Sequence, residues 1–218
     1  MKKFLVIFVM AICTMFASCN SCHRTSEPTY PVTGINVEEV NAADNEYMSA
    51  NYGEYRWLES CIDMEDWLDE ADTCIVKAVA NIFSVVNEID STSFTTTVYL
   101  IAHTADTTVI EERYGIWVGD SPMNEFVPFN VNFANAYNRM MEANCVKPHS
   151  RHCVLRKEVA PIDMNPLYIF GNQDMQVYVN TNTGDVNTEN PCFPDSDEEI
   201  ETANNDDMLK SLGYAFTW

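Results

Sequence analysis

The first 18 residues constrain this chain most, because they decide which part of it is left to fold into a domain. Lys2 and Lys3 precede an uncharged apolar run of 13 residues, Phe4–Phe16. That run is too short to span a bilayer comfortably, and a basic start followed by a short apolar stretch is typical of a secretory signal peptide. We therefore expect residues 1–18 to be removed on export. No segment of the remaining sequence approaches the 18 consecutive apolar residues that a membrane-spanning helix needs.

The apolar run ends in Phe16-Ala17-Ser18-Cys19, which resembles the lipobox of bacterial lipoproteins. In that family two small residues precede a cysteine that receives a diacylglyceryl thioether before the signal is cleaved. Phe16 departs from the usual leucine but keeps the apolar character. The resemblance implies a membrane anchor on Cys19 and a cell-envelope location, with an ordinary cleaved signal as the alternative. Residues 20–24 lack the acidic cluster that some surface-exported lipoproteins carry, which favours a periplasm-facing location.

The chain is strongly acidic, with 12 Lys and Arg against 33 Asp and Glu and a formal net charge of −21. Such an excess repels phosphate backbones and anionic lipid surfaces. It therefore argues against nucleic-acid binding and leaves the lipid anchor as the membrane contact. Solubility is the simplest explanation of the charge. A hydrophobic content of 46% nevertheless predicts a folded domain with a real core.

The first half of the chain predicts a helix followed by strands. Apolar residues recur at three- and four-residue steps from Glu65 to Ile89, as on one face of a helix: Leu68, Ala71, Ile75, Val79, Ile82, Val86 and Ile89. Phe94–His103 and Thr108–Val118 are rich in β-branched and aromatic residues and predict a β-hairpin. A further extended run, Phe126–Val131, contains Pro128 and belongs at a sheet edge.

The second half repeats that order. Asn132 is a good N-cap for a helix that extends through Asn144. Strand candidates follow at Cys153–Ala160, Leu167–Phe170 and Met175–Val179. We therefore predict an α+β fold of two helix-plus-antiparallel-sheet units in tandem. The predicted segments are a signal at 1–18, a flexible tether at 19–45, units at 46–130 and 131–193, and an acidic C-terminal segment at 194–218.

The second unit, from Val131 to Cys192, resembles a PepSY-type module. The likeness lies in the alanine-containing helix NFANAYNRMMEAN, the strand HCVLRKEVA and the closing strand and turn VYVNTNTGDV. The family is similar in build to cystatin-like and tandem inhibitor-like folds. It implies extracytoplasmic, noncatalytic modules, some of them proposed to restrain proteases, and it supplies no catalytic residues.

Six cysteines remain after Cys13 in the signal and Cys19 at the lipid site. In an oxidising compartment they permit up to three disulfides, with fifteen possible connectivities. Cys145 with Cys153 is the best candidate pair because the two flank a short turn that contains Pro148. Cys61 with Cys74 comes next.

Several residue clusters contain side chains that can support chemistry, and none matches a catalytic motif. Cys145, His149, His152 and Cys153 could bind zinc, but their spacing fits no familiar zinc motif and a disulfide would consume both thiols. The acidic run from Asp195 to Asp207 could hold calcium, although it lacks the ligand order of an EF-hand. His103 could act as a general base, yet no nucleophile motif accompanies it. We therefore predict no catalytic residue, no metal and no cofactor.

Two surface features remain as candidates for binding. An aromatic platform for sugar or peptide could form from Tyr55, Trp57, Trp67, Tyr114 and Trp117, with core packing as the alternative. Five of the 12 basic residues fall within one stretch of about twenty and suggest a patch for an anionic partner: Arg139, Lys147, Arg151, Arg156 and Lys157. The alternative, slightly favoured, is internal pairing with the acidic C-terminal segment.

These features together predict a noncatalytic cell-envelope lipoprotein that binds a protein partner or acts as an inhibitor-like module. The alternatives are an accessory glycan-binding lipoprotein and an enzyme of unrecognised type. The shape of the surface separates them, because a deep polar cleft would favour an enzyme and a flat or convex face a binding module.

Overall fold

A computed structural model describes residues 30–65, 73–90, 93–114, 120–123, 129–158, 165–172 and 174–189. Two helices lie within this part of the chain, α1 (Val37–Tyr52) and α2 (Phe133–Glu142). The strands are β1 (Val32–Gly34), β2 (Arg56–Met64), β3 (Cys74–Asp90), β4 (Ser93–Thr104), β5 (Thr108–Tyr114), β6 (Asp120–Ser121), β7 (His152–Glu158), β8 (Leu167–Asn172), β9 (Met175–Asn180) and β10 (Val186–Asn187).

The strands form one sheet that runs through both halves of the sequence. Its order is β10-β9-β8-β7-β2-β3-β4-β5, and neighbours along this path are antiparallel. β1 pairs in parallel with the start of β3, and β6 pairs with β7. Because β7 pairs with β2, strands of the two predicted units belong to a single sheet. The predicted fold class is therefore wrong: the fold is sheet-dominated rather than two helix-plus-sheet units.

The predicted helix Glu65–Ile89 is also wrong where the structure describes it, since Cys74–Asp90 is the longest strand, β3. The physical reason is burial on both faces. Val79 and Phe83 pack on one face and Ala80 and Ile82 on the other, all fully buried. A strand buried on both sides is apolar at nearly every position, so a helical period can be picked out of it by chance.

The predicted tether, residues 19–45, contains ordered structure from β1 onward. Asn36 caps α1, because its side chain accepts hydrogen bonds from the backbone N–H groups of Glu38 and Glu39. The same two residues place negative charge in the first turn, where the positive end of the helix dipole stabilises it. Sequence periodicity missed α1 because its buried residues include Asn41, Asp44 and Asn45.

Other predicted elements are confirmed. β4 and β5 form the expected hairpin, and β7, β8 and β9 match the three later strands. Asn132 caps α2 by accepting from the N–H of Asn135. Of the predicted strand Phe126–Val131, residues 126–128 lie outside the described part and 129–131 are not in a strand. The signal, Cys19 and the acidic segment 194–218 also lie outside it.

Both helices pack on the same side of the sheet, which we call the helix face. Its core includes Met48 from α1, Phe133 and Tyr137 from α2, and Phe83 and Phe170 from the strands. The opposite face is apolar too, with buried clusters at Leu58, Cys61, Ala80, Ile82, Val98, Leu100 and Ala102, and at Leu167, Ile169 and Tyr178. Neither described helix is long and apolar enough to cross a membrane.

Candidate functional site

The interface between α1 and the sheet is built on a buried carboxylate. The Asp44 side chain is 5% exposed, and its Oδ1 lies 2.8 Å from His103 Nε2 on β4. Its Oδ2 accepts a 2.8 Å hydrogen bond from Asn81 Nδ2 on β3. A buried carboxylate is costly unless its oxygens are satisfied. Here both oxygens have partners on the sheet, so Asp44 ties α1 to the adjacent strands β3 and β4.

The same chain of contacts reaches β5, the strand at one end of the sheet. His103 Nδ1 lies 3.0 Å from Thr108 Oγ1 on β5, so Asp44, His103 and Thr108 connect α1, β4 and β5. The order carboxylate, imidazole, hydroxyl is also found in activated nucleophiles. These contacts hold the β4–β5 hairpin against α1.

Two further asparagines of α1 extend this polar interface. Asn41 Oδ1 accepts from Ser60 Oγ at 3.2 Å, and Asn45 Oδ1 accepts from the Tyr55 hydroxyl at 2.9 Å. Asn81 Oδ1 is buried and has no hydrogen-bond partner among the described residues. The helix is therefore oriented by directional bonds rather than by apolar packing alone.

β5 forms one end of the sheet, and among the described strands it pairs only with β4. The N–H of Thr104 donates to the carbonyl of Thr107 at 2.9 Å, which makes Thr104–Thr107 a hydrogen-bonded pair of the hairpin. Bonded and non-bonded pairs alternate along an antiparallel ladder. The backbone N–H and C=O groups of Thr108, Ile110 and Glu112 therefore point away from β4, toward the outer edge.

Apolar side chains are exposed along that same edge. Val109 is 38% exposed and Ile110 is 44% exposed. Ile110 lies opposite Ile101 on the helix face, and Val109 lies opposite Ala102 on the other face. A long edge with exposed β-branched side chains and outward-pointing backbone groups is a template for pairing with another strand.

A row of tyrosines flanks this edge on the helix face. The ring of Tyr52 lies 4.4 Å from Tyr99 and 6.4 Å from Tyr47, which is 36% exposed. Tyr99 is the cross-strand partner of Glu112. Burial, and then hydrogen bonding to Tyr99, raises the pKa of Tyr52. We call the outer edge of Thr108, Ile110 and Glu112, together with Tyr47, Tyr52 and Tyr99, the β5 edge site.

Two cavities lie elsewhere on the described surface. The larger, about 610 Å³, lies beside the C-terminal end of α1 and is lined by Ser49, Gly53, Glu54, Tyr55, Arg56, Ser84 and Val86. The smaller, about 340 Å³, lies between the end of α2 and β10.

The five basic residues singled out in the sequence do not share one surface. Arg156 and Lys157 are consecutive in β7, so their side chains lie on opposite faces of the sheet. Arg139 on α2 donates to the carbonyl of Gly184 at 3.3 Å. Lys147 donates to the carbonyl of Ala143, at the end of the same helix, and Arg151 is exposed just before β7.

No Sγ–Sγ bond joins any two of the described cysteines Cys61, Cys74, Cys145 and Cys153, so neither predicted disulfide is formed in this part of the structure. Burial raises the pKa of the Cys74 thiol to about 12 and that of Cys153 well above its ordinary value. Of the zinc candidates, His152 and Cys153 are consecutive in β7 and so lie on opposite faces. No cluster of metal-binding side chains occurs within the described part of the chain.

The predicted aromatic platform is replaced by a different set of rings. Trp57 is fully buried, and Tyr55 is partly buried with its hydroxyl bound to Asn45. Trp67 and Trp117 lie outside the described residues, as does the side chain of Tyr114. Sequence reasoning missed Tyr47, Tyr52 and Tyr99 because α1 was not predicted. It missed Asp44 because 59 residues separate it from His103.

Comparison of the chain with protein families, with curated proteins and with solved structures finds no match. The resemblances to bacterial lipoproteins and to PepSY modules therefore stay predictions.

Proposed function

We propose that this protein is a noncatalytic, lipid-anchored binding module of the cell envelope that captures an extended segment of a protein partner at the β5 edge site. The observation that carries the proposal is the edge itself. The backbone N–H and C=O groups of Thr108, Ile110 and Glu112 point outward from β5, and the side chains of Val109 and Ile110 are exposed. In strand addition, a peptide pairs with such an edge through main-chain hydrogen bonds, and alternate side chains supply specificity.

The tie beneath the edge supports this function. If the edge strand were mobile, ordering it on binding would cost conformational entropy and weaken the affinity for a partner. The Asp44–His103–Thr108 contacts hold the first residue of β5 to α1. Tyr47 and Tyr52 extend the apolar surface over which alternate side chains of an added strand would lie, and the buried ring of Tyr99 supports Tyr52 from below.

Charge restricts the partner. β5 carries Glu111 and Glu112 against one basic residue, Arg113, which lies 3.7 Å from Glu111, and the whole chain has a net charge of −21. An acidic segment would be repelled, so the partner segment is neutral or basic, with apolar residues at alternate positions. Nucleic acid is disfavoured for the same reason.

The anchor on Cys19 would hold the module close to a membrane, more favourably on the periplasmic side. The described chain begins at Tyr30, whose backbone N–H and C=O both bond to the Asn138 side chain of α2. Residues 19–30 could then reach at most about 40 Å from the anchor. Radiolabelled fatty acid should enter the protein and should be lost in Cys19→Ala. Equal labelling of both proteins would exclude the anchor.

Site-specific photo-crosslinking tests the binding proposal. A photoreactive amino acid at Ile110 should capture an envelope protein in cells that produce the full chain. The same group at Val146, which is 68% exposed and lies outside the site, is the matched control. Ile110→Pro removes one outward N–H and leaves the β4–β5 bonds in place, so it should abolish capture by a probe at Val109. Identical products from positions 110 and 146, or no product from 110, would overturn the proposal.

A further inference from the structure

We propose that the larger cavity, beside the C-terminal end of α1, binds a dipeptide or similarly short peptide with both of its ends free. The carboxylate of this zwitterion pairs with Arg56, and its ammonium group lies beside Glu54 and the end of α1. The cavity shares no residue with the β5 edge site, so the proposal goes beyond the proposed function and does not depend on it. Its volume of about 610 Å³ is in the range of small-molecule sites.

The cavity lies where the sheet has a gap. Pairing of β2 with β3 begins at Arg56 and Ser84, whereas β3 continues well beyond that pair. Before Arg56 the chain belongs to the turn that follows α1. Val86 lines the cavity and, among the described strands, pairs only with Thr96 of β4. The edge of β3 on the β2 side is therefore open at Val86.

The backbone of Val86 is directed into this gap. In the β4–β5 hairpin the even-numbered residues of β4 bond to β5, as Thr104 does, so the odd-numbered ones bond to β3. Their partners in β3 are odd-numbered too, for example Phe83 opposite Tyr99. The N–H and C=O groups of Val86 therefore point away from β4. They can bond to one peptide group of a ligand, as the edge of a sheet does to an added strand.

Two charges of opposite sign line the same cavity. Glu54 and Arg56 are both exposed, and neither forms an ion pair within the described part of the chain. α1 has no basic residue in its last turn, so the negative end of its dipole favours a cation there. A ligand with a single charge would be repelled by one of the two residues, and a neutral sugar would compensate neither. A zwitterion satisfies both charges.

A buried hydroxyl and a fixed wall complete the site. Ser84 is 6% exposed and lines the cavity, and its hydroxyl forms no hydrogen bond with the residues that the structure describes. A ligand that bonds to this hydroxyl removes the cost of leaving it unsatisfied. Tyr55 is held in place, because its hydroxyl binds Asn45 and its ring lies 5.7 Å from Phe83. Val86, 46% exposed, offers apolar surface to a ligand side chain.

Isothermal titration calorimetry with a panel of dipeptides tests the proposal on the full chain. In the panel, alanine precedes or follows each of the common amino acids, and both ends are free. At least one dipeptide should bind with a Kd of about 1 mM or tighter. The same dipeptide should bind roughly tenfold more weakly when its amino end is acetylated or its carboxyl end is amidated. No binding by any free dipeptide up to about 10 mM, or equal binding of the blocked forms, would overturn the proposal.

Three variants locate the binding site. Arg56→Gln should weaken binding of the free dipeptide roughly tenfold and leave binding of the amidated form unchanged, because that form has already lost the ion pair. Glu54→Gln should have the same effect on the free dipeptide and leave the acetylated form unchanged. Arg151→Gln removes an exposed charge outside the cavity and is the matched control, which should bind like the unaltered chain. Equal weakening in all three variants, or no weakening in any, would place the binding elsewhere and overturn the proposal.

Discussion

The two helices lie on the same face of one sheet and are held there by different forces. α2 buries Phe133, Ala136, Tyr137 and Met140, and its aromatic rings contact those of Tyr168 and Phe170. α1 buries Val37 and Met48 but also Asn41, Asp44 and Asn45, which bond to side chains of β2, β3 and β4 and the turn before β2. Apolar packing is nondirectional, whereas hydrogen bonds define one orientation. The interface beside the candidate binding edge is thus the more sharply oriented of the two.

The largest expected effect is the loss of an aromatic side chain from α2. Phe133→Ala should lower the free energy of unfolding by about 3–5 kcal/mol, because Phe133 is almost fully buried between Tyr168 and Phe170. Urea denaturation at neutral pH is the measurement. The exposed Val146→Ala should change stability by less than about 0.5 kcal/mol. Similar losses in the two variants would show that α2 is not packed as described.

Removal of the buried carboxylate from α1 should have the next largest effect. Asp44→Ala leaves Asn81 and His103 without their shared acceptor and should lower the free energy of unfolding by about 3 kcal/mol. Asp106→Ala, in the exposed β4–β5 turn, is the control and should be nearly neutral. Asp44→Ala should also speed amide exchange in β5, because the contacts that hold β5 to α1 are lost. Unchanged exchange in β5 would contradict the role of Asp44 in holding this strand.

His152 provides a test by pH at the strand that joins the two halves. Burial lowers the pKa of His152 from 6.5 to about 3. Between these two pH values the imidazole is therefore protonated in the unfolded chain and neutral in the folded chain. Stability from this group is complete above pH 6.5 and declines as the pH falls toward 3. Between pH 6.5 and 4.5 the loss should be about 2–3 kcal/mol.

The measurement is the free energy of unfolding at several pH values for His152→Asn and for the unaltered chain. The variant should lose less stability over this range, and His149→Asn, at an exposed position, should lose as much as the unaltered chain. Parallel pH profiles for all three proteins would contradict a buried, neutral His152.

The smallest expected effect compares the two helix starts. Asn36 and Asn132 each cap a helix through the side-chain oxygen. Substitution of either by Ala should cost about 1 kcal/mol. Thermal unfolding of the two variants should therefore give similar shifts. A much larger shift for Asn36→Ala would mean that the cap also positions Glu38, whose carboxylate accepts from the N–H of Phe133 and so links the two helices.

This comparison also explains how much of the structure could be predicted from the sequence. α2 was predictable because its apolar residues follow the helical period, and the β4–β5 hairpin and β7 to β9 because they are short runs rich in β-branched and aromatic residues between turn signals. The sequence pattern does not reveal α1 because the buried face of this helix is partly polar, and it predicts a helix in place of β3 because both faces of that strand are buried. The pairing of β2 with β7 joins distant segments and leaves no local signal. The Asp44–His103 contact joins α1 to β4, which pairs with β3, so it could not be predicted while α1 and β3 were both misassigned.

The central pairing of β2 with β7 has a consequence for synthesis and export. Cys61 of β2 pairs with Val154 of β7, roughly ninety residues later in the chain. A chain delivered from its N-terminus would have made β2, β3 and β4 long before β7 emerged, and one side of β2 would meanwhile lack its neighbour. An unpaired strand edge of this kind is prone to aggregation, and contacts between distant segments form slowly. The molecule should therefore depend on a holding chaperone during biogenesis far more than a small helical bundle would, and fragments that stop before residue 152 should aggregate.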